Sequence, residues 1–342
     1  MNEREREIDL PLELRAALDG LPRSIEPPED LWPGIRGRIR AGQGAGGRGK
    51  GREWWVPLTL AAVLVLAVAV WRATHTIAGA WEVRPVAGAP RVNNAVLRRV
   101  GALRVGQWLE TDDSSRAMLA VGDIGEVEVK PGTRLRLVRA RATDHRLALQ
   151  YGSIYARVDA PPRLFFVETP AGTAVDLGCA YALDVDSLGN GTLRVTAGYV
   201  EFDWSGRRSI VPLGAIAETR SGQGPGTPYV GDAPEALRQA LRDFDFSDGG
   251  AAAARAVLSA ARAEDALSLW HLLQRVTPGL RPVFFDRLAA LVPPPGGVQR
   301  DSALQLDAET LQRYWERIRR IAWRREILRG VRDIDPATGL TR

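Results

Sequence analysis

This 342-residue chain has a single cysteine, Cys179, and only two lysines, Lys50 and Lys130. A lone thiol excludes an intramolecular disulfide and any multi-cysteine metal site. Because lysine is so rare, arginine carries the net charge of +5. No basic stripe with interleaved aromatics accompanies it, so direct nucleic-acid binding is not expected. Histidine is scarce too: His75, His145 and His271 fall in three separate segments, with no H-x-x-x-H or H-x-H spacing. A G-x-S-x-G elbow, a P-loop and a Rossmann fingerprint are all missing, and the glycines of 42–51 follow no strand. Asp184 and Asp186 flank Val185 and would share one strand face as a cation pair, although a solvated strand edge accounts for them. Cys179, in LGCAYALDV, reads as a buried small hydrophobe. No catalytic constellation remains, so the expectation is a non-enzyme without cofactor or metal.

One long hydrophobic run is present. Trp54 to Trp71 (WWVPLTLAAVLVLAVAVW) is 18 residues without a charge. As a helix it would extend roughly 27 Å, enough to cross most of a bilayer core. Pro57 falls in the first turn, and Trp54, Trp55 and Trp71 stand at the two interfacial depths. Ala78-Gly79-Ala80 resembles a signal-peptide cleavage site, but 53 residues precede the run and it exceeds a typical h-region. The run is expected to be an uncleaved single-span anchor. Arg36, Arg38, Arg40, Arg48, Lys50 and Arg52 precede it with no acid among them, which places the N-terminus in the cytoplasm. The expected topology thus places the part beyond the run outside the cytoplasm.

Residues 1–53 hold two short helical patterns and a Gly/Arg linker (42–52). The first places Leu14 and Leu18 on one face, and the second aligns Leu31, Ile35 and Ile39 with Trp32 beside them. Two small helices bury little area, so these six residues are candidate partner-binding positions that order on a cytoplasmic partner. A basic segment that only sets topology is the alternative.

From 83 to 219 the pattern changes to period two, as in Met118-Leu119-Ala120-Val121 and Ile154-Tyr155-Ala156-Arg157-Val158. Short strands punctuated by Gly, Pro, Asn and Asp argue an all-β domain, either a short β-solenoid or a two-sheet sandwich. Gly152, Gly178 and Gly198 each open a new alternating stretch. Residues 147 to 202 contain Gly152 to Val158, then F-x-V-x-T-P (Phe165 to Pro170), G-x-A-x-x-L-G (Gly172 to Gly178) and V-x-x-G-x-V (Val195 to Val200). This order resembles the core of the FecR domain, and Gly122 to Leu137 resembles its opening strands. The resemblance implies a single-span regulator of the bacterial inner membrane, with its C-terminal part periplasmic and its FecR domain there receiving a signal. Many such proteins relay it to a sigma factor held by their N-terminal segment. Here that segment is short and has no His or Cys, which excludes a zinc-binding His-x3-Cys-x2-Cys site.

Residues 221–233 read as a Gly/Pro linker, and helical patterns follow from Asp232 to Leu328. They suit either a HEAT/TPR-like repeat stack or a compact cap on the β domain. The expected fold class is therefore membrane-anchored and multi-domain: one transmembrane helix, an all-β FecR-like domain, and an all-α helical C-terminal domain. The expected divisions are 1–53, 54–71, 83–219 and 232–330. Two functions stay open. One is a transmembrane signalling regulator, with a sigma factor and a periplasmic or outer-membrane signalling protein as partners. The other is a non-enzymatic envelope scaffold.

Overall fold

Alternating apolar residues build eighteen strands in the computed structural model, which describes residues 79–332, with side chains as far as 321. The strands form two sheets. The first begins with β4 (Gly101–Arg104), β1 (Ala80–Ala87), β6 (Arg116–Val121) and β7 (Gly125–Val129). It continues through the second half of β9 (Asp144–Val158), then β12 (Ala180–Val185), β13 (Gly191–Ala197) and β16 (Ala215–Arg220). Two short strands, β17 (Gly224–Pro225) and β18 (Tyr229–Val230), complete it on β16.

The second sheet begins with β3 (Ala95–Val96), β2 (Arg91–Val92), β5 (Trp108–Glu110) and β8 (Arg134–Arg141). It passes through the first half of β9 and ends with β10 (Phe165–Thr169), β11 (Gly172–Asp176), β14 (Tyr199–Trp204) and β15 (Arg207–Pro212). β9 alone belongs to both sheets. It bends at Gly152, whose φ is +101° and whose missing Cβ would lie 2.3 Å from Thr133 Cα. Glycine is required there because the two backbones nearly touch.

Period-two burial explains the core. Leu119, Val121, Val127, Val129, Leu147, Leu149, Ile154 and Ala156 are almost fully buried, while the residues between them, Ala120, Glu128, Ala148 and Tyr155, are only partly so. Each large aliphatic side chain so buried contributes roughly 1.5–3 kcal/mol. Turn chemistry agrees: Asn93 and Asn94 both have positive φ in the two-residue β2–β3 connection, a conformation asparagine tolerates.

Six α-helices follow: α1 (Glu235–Phe246), α2 (Gly250–Ala260), α3 (Ala266–Arg275), α4 (Arg281–Leu291), α5 (Arg300–Leu304) and α6 (Ala308–Arg332). A 3-10 turn, Ala263–Asp265, leads into α3. Every residue of α3 from Ala266 to Leu273 is buried, and the helices share one hydrophobic cluster with the sheets. α3 is buried on all sides because it lies between other elements, and its few polar side chains, Ser268 and His271 among them, are hydrogen-bonded there.

Two expectations are corrected. The membrane-anchored fold class does not describe this structure: among the described residues no helix is long and apolar enough to cross a membrane. The longest, α6, carries arginines and glutamates throughout, and the apolar faces of the others are taken up by the core. The run 54–71, expected to be the span, lies outside the described residues. The second correction concerns the segment expected to be an exposed linker. Residues 224–230 are buried, and β17 and β18 pair with β16. Glycine serves close approach here, not flexibility: a Cβ on Gly226 would meet Phe246 Cζ at 2.7 Å, and one on Gly224 would meet Trp204 Cβ at 2.9 Å.

Candidate functional site at the seam of helices and sheets

β15 is the edge of the second sheet, and its outward carbonyls need donors. α3 supplies them. His271 Nε2 donates to the Ile210 carbonyl at 3.1 Å, and Arg275 Nη2 donates to the Arg208 carbonyl at 2.9 Å. The spacings match: i to i+4 on a helix rises about 6 Å, and i to i+2 on a strand about 6.8 Å. Two side chains on one helix face thus close two consecutive outward carbonyls of the edge. Burial holds the His271 imidazole neutral, with its pKa down to about 3; the Arg275 charge adds to this, and the Ile210 carbonyl opposes it. The ring also stands edge-on to Trp270, centroids 4.9 Å apart.

Beneath this clasp sits Asp245 of α1, its side chain only 1% exposed. It accepts from Arg207 Nη2 at 2.6 Å, Arg275 Nη1 at 3.2 Å, Thr227 N at 2.6 Å and Thr227 Oγ1 at 3.1 Å. Arg275 also donates to Ser209 Oγ at 2.7 Å, and that hydroxyl donates to the Gly226 carbonyl. Burial lowers the Arg275 pKa to about 10, with the Asp245 carboxylate working against the shift, so the guanidinium stays charged near neutral pH. Two guanidiniums therefore share one buried carboxylate, and the network joins α1, α3, β15 and the 224–230 segment.

Two hollows adjoin the seam or the body. One, of about 230 Å³, is apolar and lies between the β15–β16 turn, β18, α3, α4 and α6. The other is a polar groove of about 500 Å³, and it contains both Asp184 and Asp186 together with Glu218 and Asn190. Asp186 Oδ1 accepts from Leu188 N and Asn190 N, so this carboxylate organises a turn. Among the described residues no cluster of three or more acidic, His or Cys side chains could hold a metal ion.

Cys179 is buried, and its thiol donates to Asp176 Oδ2 at 2.7 Å. Burial raises the thiol pKa well above its ordinary value, and the Asp176 carboxylate raises it further. Such a thiol is inert. On the outer face of the second sheet, Arg134 stacks over Trp108 at 4.3 Å and Arg136 at 5.3 Å.

Leu14, Leu18, Leu31, Trp32, Ile35 and Ile39, the expected partner-binding residues, lie outside the described residues. The seam was not foreseen. Its trace in the sequence is LSLWHLLQRV, where His271 and Arg275 stand at i and i+4 in a helix otherwise apolar but for Ser268 and Gln274. Polar groups so placed must be buried with partners.

Residues 107–201 match the family model described as FecR protein, so the chain carries a FecR domain. The match begins at β5, upstream of the segments that carry the resemblance in sequence, and ends within β14. Two crystal structures of a candidate anti-sigma factor from Parabacteroides distasonis ATCC 8503, at 1.65 and 2.50 Å, align with 39% of this chain at 16% identity and a TM-score of 0.32. The alignment covers 63% and 62% of those chains, less than two thirds of their length. No curated protein matches the chain.

Proposed function

We propose that this chain is a signalling regulator that acts on a sigma factor through its N-terminal segment. The FecR domain at 107–201 is the observation that carries this reading. In it, the N-terminal segment lies in the cytoplasm, and the β body with its helical cap receives the stimulus. Leu14, Leu18, Leu31, Trp32, Ile35 and Ile39 support the reading because they exceed the apolar content a solvated segment needs. Trp32 is the natural anchor, since an indole buries the largest area and interfaces concentrate their energy in such residues. Truncation to alanine should cost about 2 kcal/mol of binding, roughly thirty-fold.

The test is affinity capture with the full-length chain from its own host, with partners identified by mass spectrometry, in parallel with Trp32→Ala. Recovery of a sigma factor that is lost in the variant is the expected result. Recovery of none, or of one undiminished by the substitution, would leave a non-enzymatic binding protein in place of a regulator.

A further inference from the structure

The apolar hollow of about 230 Å³ has a wall from every layer of the molecule. Leu213 comes from the β15–β16 turn, Ala215 from the start of β16, Leu267 from α3, Val292 from just past the end of α4, and Ile318 and Ile321 from α6. Protein interiors are close-packed, and an unfilled apolar void forfeits contacts along its whole lining. The void persists because small side chains, Ala215, Ala263 and Ala266, meet where a strand turn faces the start of a helix. It is also open to solvent at one side, where Ile321 is 41% exposed and Glu264 is exposed.

Glu264 is the only charged residue of the lining. Among the described residues it makes no close ion pair: the adjacent cation, Arg262, contacts Asp265 and Asp232, and Glu264 acts on it only at longer range. The N-terminus of α3 would by itself favour an anion here. Two carboxylates, Glu264 and Asp265, already occupy that end, so an incoming anion meets net repulsion.

We propose that this hollow is a binding site for a small primary amine with an aromatic or short aliphatic body, its ammonium paired with Glu264. A dry cavity of 150 Å³ accommodates benzene, so this one accommodates an apolar body of about nine non-hydrogen atoms. Such a ligand would bridge the β body and three of its helices. The inference stands whether or not the N-terminal segment binds a sigma factor.

The experiment is calorimetric titration of the full-length chain near neutral pH with three matched probes: 2-phenylethylamine, 2-phenylethanol and phenylacetate. The amine should bind at least tenfold more tightly than the alcohol, and the carboxylate most weakly. Glu264→Gln should abolish the preference for the amine while leaving the alcohol's affinity within twofold. Ala266→Leu, which fills the hollow, should remove binding of all three. If that variant fails to fold, Ile318→Ala provides the second test: by enlarging the hollow it should shift preference toward the bicyclic tryptamine. No binding of any probe at millimolar concentration would overturn the proposal. So would equal affinity for amine and carboxylate, or undiminished binding in Ala266→Leu.

Discussion

Replacing Asp245 with asparagine tests whether the helices and sheets form one cooperative structure. The substitution keeps the shape but removes the one carboxylate that faces both Arg207 and Arg275. Breaking a buried pair from one side typically costs about 3–5 kcal/mol, because the remaining charge is stranded. Arg207 is 31% exposed and can regain water, while Arg275, at 13%, cannot, so the lower figure applies. About 3 kcal/mol corresponds to a fall of ~6–12 °C in Tm for a body of this size. Thermal unfolding of the full-length chain, followed by circular dichroism in both the helical and the strand bands, measures it. Asp245→Asn combined with Arg275→Met should recover part of the loss, since the uncompensated buried charge is then gone. A shift under ~1 kcal/mol would refute the reasoning. So would helices that melt early while the sheet transition stays put.

Two further outcomes follow from the same geometry. The His271 pKa in the fold, about 3, lies below its ordinary 6.5, so as pH falls the unfolded chain takes up the proton first and stability declines between those values. At pH 5 the loss attributable to His271 is about 2 kcal/mol, and His271→Gln, which keeps a donor for Ile210, should flatten the decline. The difference between the two proteins is the measure, because burial lowers the His145 pKa as well, while the Asp176 carboxyl, raised by burial, works in the opposite direction. Gly198→Ala should cost at least ~2 kcal/mol, since φ is +66° and its Cβ would sit 2.2 Å from the Gly178 carbonyl oxygen. Gly206→Ala shares the positive φ but meets nothing within 4 Å, so it should cost only about 1 kcal/mol; equal losses in the two variants would show that the close approach is unimportant.

The strands were legible because alternation is a local property: Met118 to Val121 and Ile154 to Val158 read as strands and lie in strands. Glycine positions were legible as well, since Gly152, Gly178 and Gly198 all have positive φ. Their purposes were not. Gly152 looked like the opening of a new strand, yet it is the bend inside β9, because only the Thr133 backbone, distant in sequence, shows what crowds it. The 224–230 segment misled for the same reason: Gly and Pro mark both flexible linkers and backbones pressed against aromatic rings, and only the fold brings in Trp204 and Phe246. Helix periodicity marked the stretch from Asp232 to Leu328 as helical, as it is from Glu235 onward, but could not name the surface beneath the helices. The clasp stayed hidden because His271 and Arg275 find their acceptors more than sixty positions upstream, at Ile210 and Arg208.

The stretch that matches the family ends within β14, before the edge strand β15 begins. Open strand edges template pairing with other chains and lead to aggregation. Here the helices act as a terminator for the sheet, much as polar end units keep repeat proteins soluble. Cut free of that terminator after Thr219, the β body would expose the Arg208 and Ile210 carbonyls and become a polymerisation hazard. The FecR stretch is therefore not self-sufficient in this chain: the sequence beyond it adds the edge strand β15 and must also include residues able to silence that edge.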